Sequence, residues 1–227
     1  MDSYTHTKKK HPVRRSRTVR RVAAAVALTT ALGVTLAACG DDSDGGSPSS
    51  TQTASNGDVF NDADVSFASD MIQHHAQALS MVDLTQGRTL DPEVQQLADD
   101  IQAAQGPEIE TMADWLTAWG EDVPATMRDH SNAGHDMGGD MSEQMEGMES
   151  SDMPGMMSAD EMNELQDASD AEFQDMWLEM MVRHHKGAVE MAQTEQEDGT
   201  FADAVELAKA IETAQNKEIA QMEGLLG

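Results

Sequence analysis

One phrase occurs twice in this chain, and it constrains the fold more than any other feature. Met71-Ile72-Gln73-His74-His75-Ala76-Gln77-Ala78-Leu79-Ser80-Met81 and Met181-Val182-Arg183-His184-His185-Lys186-Gly187-Ala188-Val189-Glu190-Met191 share the pattern M-[IV]-x-H-H-x-x-A-[LV]-x-M at an offset of 110. The same offset pairs Leu97 with Leu207, Ala98 with Ala208, Ile101 with Ile211 and Ala104 with Ala214. It goes on to pair Gln105 with Gln215, Glu108 with Glu218, Ile109 with Ile219, Met112 with Met222 and Leu116 with Leu226. So many matches at one offset mark an internal duplication of a unit of about sixty residues.

Each unit reads as two helices. Phe60, Phe67, Met71, His74, Ala78 and Met81 fall on three- and four-residue steps, one face of a helix. Asp91-Pro92-Glu93 opens the next helix, with Asp able to cap and Pro suited to the first turn. Its seam is Val94, Leu97, Ile101 and Ala104, then Ile109, Met112 and Leu116, and Gly106-Pro107 is expected to kink or break it. In the second unit, Ser158-Ala159-Asp160-Glu161 is a capping box that opens one long helix through Leu165, Phe173, Trp177, Met181, His184, Ala188 and Met191. Asp198-Gly199-Thr200 turns the chain into a last helix over 201–226, and no segment alternates like a strand. Two helical hairpins, neither able to bury its seam alone, predict an all-α four-helix bundle.

The ends of the chain are of another kind. Eight of the 14 Lys and Arg residues precede position 22, where the only acid is Asp2; after position 38, six basic residues face 41 acids, a net charge of −35. That balance excludes a nucleic-acid binder, which needs clustered positive charge. The basic stretch runs into an apolar segment, 22–38, too short for a usual span and ordered like a secretory signal. It closes on Leu36-Ala37-Ala38-Cys39-Gly40, similar to a bacterial lipobox, in which the cysteine is acylated and becomes the new N-terminus. An ordinary signal peptide and an uncleaved anchor are the alternatives, and two Arg pairs are a weak sign of twin-arginine export. Residues 40–57, nearly all Asp, Gly, Ser, Thr and Pro, read as a flexible tether. The expected organisation is a signal peptide over 1–38, a tether over 39–57, a first hairpin over 58–119, a linker over 120–157 and a second hairpin over 158–227. The two hairpins form one domain, held on the outer face of the membrane through Cys39.

The chemistry of the repeated phrase is that of a soft metal. On a helix Met71 shares a face with His74 and His75, and Met181 with His184 and His185, while Met81 and Met191 lie two turns further along. Thioether favours Cu(I), imidazole suits copper in either oxidation state, and hard cations are poorly served by this set. Glu108 with Met112, and Glu218 with Met222, recur one turn apart on the partner helices, where a carboxylate can orient a ligating imidazole. Core packing of the methionines and simple hydrogen bonding of the histidines are the plainer alternatives. Between the units, an acidic Gly- and Ser-containing linker carries Met127, His130, His135, Met137, Met141, Met145, Met148, Met153, Met156 and Met157. It resembles the methionine-rich tracts of extracytoplasmic copper proteins and is an accessory capture site; a plain connector, a stripe docked on the bundle and sacrificial oxidation are its other readings.

Other chemistries lack their residues. A di-iron carboxylate site needs Glu-x-x-His pairs, and neither His-His phrase has a Glu three residues before a His. The single Cys lies in the lipobox, and nucleophile, P-loop and dinucleotide motifs do not occur. The paired His-His phrases, Met153-Pro154-Gly155-Met156-Met157-Ser158 and the Glu218-Ile219-x-x-Met222 ending together resemble the secreted bacterial family called "domain of unknown function 305", over about residues 58–227. That resemblance implies a ferritin-like bundle outside the cytoplasm and, for some members, copper binding and copper tolerance. The expectation is a lipid-anchored protein that buffers or delivers copper without turnover, with envelope copper proteins as partners. A metal-dependent oxidase and a metal-free structural bundle are its rivals.

Overall fold

The computed structural model describes residues 50–126 and 153–227. Four long helices carry the fold: α1 (Asp62–Asp83), α2 (Pro92–Trp119), α4 (Asp170–Asp198) and α5 (Ala202–Leu226), with a short α3 (Ala159–Asp167) before α4. The first pair, α1 and α2, packs as a hairpin, α4 and α5 pack as another, and the hairpins meet chiefly through α1 and α4. The expected all-α four-helix bundle is the observed architecture.

Three local expectations are corrected. Gly106-Pro107 neither ends nor breaks α2, which runs through it. Pro107 and Ala103 are both exposed, so the carbonyl left without a donor meets water, while buried Ile101 and Met112 anchor the helix on either side. The single long helix expected from Ser158 is interrupted at Ala168-Ser169. Arg88 takes up the carbonyls freed there, donating to Gln166 at 2.6 Å and Ala168 at 2.7 Å, with its guanidinium 3.9 Å above the Phe173 ring. Lastly, Gln52–Thr53 (β1) pairs antiparallel with Val59–Phe60 (β2), inside and beside the stretch read as tether. The turn contains Asn56-Gly57, with Gly57 at φ +99°, a backbone setting that glycine favours. Phe60 then stacks on Trp119 at 4.6 Å, which fastens the small hairpin to α2.

The bundle core has two apolar halves. One gathers Ala78, Met81, Val94, Leu97, Ile101, Trp177, Met181, Ile219 and Met222. The other gathers Phe67, Met71, Ile72, Met112, Leu116, Ala188, Ala204, Ala208 and Ile211. Each large side chain removed from water contributes about 1.5–3 kcal/mol, so each half is a substantial source of stability. Every long helix passes from one half to the other, and at each crossing it inserts polar residues: His74, His75 and Gln77 on α1, Gln105 on α2, His184 and His185 on α4, Gln215 on α5, all buried.

The duplication is visible as an approximate two-fold relation. Near the start of α1, the Asp64 carboxylate accepts the Phe201 amide at 2.9 Å, just before α5. At the matching place on α4, the Gln174 side chain accepts the Asp91 amide at 2.8 Å, just before α2. Each hairpin thus caps the second helix of the other.

Candidate metal centre

The polar layer between the two apolar halves is where the repeated phrases meet. His74 and His184 face each other with ring centroids 3.8 Å apart and planes tilted by 40°. On the flanks, His75 Nε2 lies 2.8 Å from Glu108, and His185 Nε2 lies 2.9 Å from Glu218, the same contact made once per repeat. Gln105 and Gln215 complete the layer from α2 and α5.

Hydrogen bonding fixes much of the proton arrangement. The carbonyl of Pro154 lies 3.0 Å from His74 Nε2 and can only accept, so that nitrogen carries the proton. The lone pair of His74 therefore sits on Nδ1, which has no partner among the described residues. His75 and His185 donate from Nε2 to their glutamates in the same way, leaving Nδ1 of each unpartnered among the described residues, where His184 has no partner at either nitrogen. Burial above all, and then neighbouring His75, hold His74 down at about 3 against an ordinary 6.5. Burial and the facing His74 hold His184 well below its usual range as well. Both rings are accordingly neutral at physiological pH, the form in which imidazole ligates metal.

Buried nitrogens without partners each cost about 1–3 kcal/mol, and proteins rarely leave several together. Five such nitrogens lie together in this layer among the described residues. Among the described residues no three His, Cys, Asp or Glu side chains are grouped so as to hold a metal.

The methionines of the phrase flank this layer. Met71 lies in one apolar half and Met81 and Met181 in the other, all fully buried, while Met191 is half-buried at the edge of the first. Met112 and Met222 are buried, one in each half. Of the linker residues, Met153 and Met156 are half-buried and Met157 is buried, whereas His130, His135, Met137, Met141, Met145 and Met148 lie outside the described residues, as does Cys39.

Residues 153–157 lie against the histidine layer, and two side chains and a glycine that the phrase alone did not single out put them there. Gln77 grips the backbone of Met157 twice, accepting its amide at 2.7 Å and donating to its carbonyl at 2.9 Å. Its repeat partner is Gly187, where a Cβ would stand 1.9 Å from the Pro154 carbonyl oxygen. Arg183 donates to the Met157 sulfur and to Glu161. The signal was present as a mismatch: within a repeated phrase, Gln77 against Gly187 marks the place where the two halves do different work.

The sequence profile described as "Domain of unknown function (DUF305)" matches residues 64–226, most of the chain and both hairpins. This protein belongs to the DUF305 family. Among solved structures, a DUF305 protein of Streptomyces coelicolor described as secreted is 32% identical, covering 72% of this chain and 91% of its own, with a TM-score of 0.59. A DUF305 fragment from Deinococcus radiodurans is 29% identical, covering 78% of this chain and 99% of its own, again at 0.59. CopM, solved in a Cu(II)-bound form, is 26% identical, covering 72% of this chain and 95% of its own, at 0.54. A Cu(I)-bound form of CopM aligns at the same identity and TM-score. No curated protein matches the sequence.

Proposed function

We propose that this DUF305 protein binds copper outside the cytoplasm and buffers it or hands it on, without catalytic turnover. The observation that carries this reading is the buried His74–His184 pair, neutral and with unpartnered nitrogens, at the junction of the two repeats. His75 and His185 stand beside it, oriented by Glu108 and Glu218 as outer partners orient metal-binding imidazoles. Met71, Met81, Met181 and Met191 offer thioethers above and below the layer, with Met112 and Met222 behind them. Such a donor set favours Cu(I) and accommodates Cu(II) through imidazole. The methionines and histidines of 127–157 supply a weaker capture tract.

Support from outside the chain comes from CopM, solved with both Cu(I) and Cu(II), and from the Streptomyces relative described as secreted. Among the described residues no helix is long and apolar enough to cross a membrane. Attachment to the outer face of the membrane is assigned to acylation of Cys39, and the partners are the copper ion and copper-carrying proteins of the envelope.

The test is a titration of the full chain with Cu(I) and Cu(II) against a competing chelator, beside a variant with His74, His75, His184 and His185 all changed to alanine. Stoichiometric binding lost in the variant is expected. Binding that persists there removes the histidines from the site, and an absence of binding at micromolar copper ends the proposal.

A further inference from the structure

The two-fold relation fails at one conspicuous place. Between α1 and α4 lies a pocket of about 240 Å³ whose wall includes Ser66 and Asp70 from α1, Glu190, Met191 and Glu195 from α4, and Pro154. The repeat places a matching position on the other side of the bundle, and there larger apolar side chains stand. Met176 stands for Ser66, Met180 for Asp70 and Leu84 for Thr194, all three packed on the apolar core, while Phe173 and Trp177 stand fully buried for Ala63 and Phe67. One copy of the site has become core, and the other has stayed open and acquired carboxylates.

The chemistry of the open copy is specific in sign. Asp70 is half-buried and Glu190 exposed at its surface, and among the described residues no lysine or arginine lines it. Glu195, only 1% exposed, forms part of its wall, but burial and the adjacent Asp64 keep it protonated, so Asp70 and Glu190 carry the negative charge of the pocket. A positively charged ligand is the complement of such a wall. The carboxylates do not converge as a cage for a hard cation, and the thioether of Met191 sits among them. Pro154 links the pocket to the buried layer, since its carbonyl is the one that holds His74. Asp70 directly precedes buried Met71 on the same helix.

We propose that this pocket is the port through which a soft monovalent cation reaches the His74–His184 pair. Asp70 and Glu190 raise the local concentration of the ion, Met191 takes it as a first soft donor, and it then passes beside Pro154 to the imidazoles. This inference rests on the copper reading above and extends it to the route of loading. It also gives the divergence of the two repeats a role, because a single shared site needs only one approach.

The experiment follows transfer of Cu(I) from a coloured chelator complex to the full chain by stopped flow. Filling the port with its counterpart's residues, in Ser66→Met/Asp70→Met, is expected to slow uptake at least about tenfold. Asp70→Asn/Glu190→Gln, which changes charge without bulk, is expected to slow it as well and to flatten its dependence on salt. Asp99→Asn/Asp100→Asn removes as much charge from an exposed face of α2 and should keep the wild-type rate. Wild-type rates in both pocket variants overturn the port and leave the copper reading standing. A wild-type chain that takes up no Cu(I) overturns the copper reading and the port with it, whereas a His74→Ala/His184→Ala variant that fills completely at equilibrium removes the histidine pair, and so the port, from an otherwise copper-binding chain.

Discussion

His74 and His184 occupy equivalent positions of a duplicated unit and lie ring against ring, yet His74 gives its Nε2 proton to Pro154 at 3.0 Å, while neither ring nitrogen of His184 reaches a well-aligned partner among the described residues. The pair is therefore asymmetric, and His184 is the ring whose burial the apo fold least rewards.

That asymmetry predicts a variant that is more stable and less functional. Replacing His184 by leucine removes two buried polar atoms without partners and keeps an apolar shape in the layer. The apo protein should gain about 1 kcal/mol in urea unfolding while its copper affinity falls. A structural role for His184 predicts the reverse sign for stability.

Glu108 and Glu218 should act alike. Each accepts a proton-bearing Nε2 at 2.8 or 2.9 Å, and each is matched to the other by the repeat. Glu108→Gln and Glu218→Gln are expected to weaken copper binding by about 10–100-fold, as read by chelator competition. Values that differ widely between the two variants would show that the metal engages one flank only.

Glycine substitutions test how tightly residues 153–157 are held. Alanine normally stabilises a helix interior by up to about 1 kcal/mol over glycine. At Gly187 the added Cβ meets the Pro154 backbone at 1.9 Å, so Gly187→Ala is expected to cost about 1–3 kcal/mol instead. Gly224, with open space around its Cβ position, should show the ordinary gain. Paired urea melts of the two variants give the comparison directly.

Stability should depend on pH through Glu195. Burial first, and then the adjacent Asp64 as hydrogen-bond acceptor and charge, push its carboxyl from 4.5 up to about 9, with Asp198 adding to the effect. Between those values the folded chain holds a proton that the unfolded chain has released, so this group's contribution to stability declines as pH rises through the window. Below 4.5 and above 9 the slope from this group vanishes. Glu195→Gln keeps a donor for Asp64 without titrating, and its unfolding free energy in urea should fall less between pH 5 and 8 than that of the wild-type chain, by about 1 kcal/mol or more.

The sequence carried the architecture because duplication made its own argument: matched Leu97 and Leu207, or Ile101 and Ile211, reveal a core seam without reference to any other protein. It also carried the polar layer, since Gln105 with Gln215 and Glu108 with Glu218 recur where apolar residues would be expected. What it did not carry depends on contacts distant in the chain. Arg88 ends α3 by bonding to carbonyls some eighty positions away, and no local pattern around Ala168 announces that. Pro107 reads as a break because its local preference is strong, whereas the buried residues to either side outweigh it. The Pro154 carbonyl is a backbone atom, invisible to any reading that looks for ligand side chains.

Gln77 facing Gly187 has a consequence for how such a molecule differs from a pair of identical hairpins. Two separate copies obeying strict symmetry would each have to hold a proline-bearing segment and make room for the other's, a demand one side chain cannot meet in both roles. Joining the copies in a single chain lifts that demand. The bundle acquires a front and a back, and its histidine layer is flanked differently on the two sides.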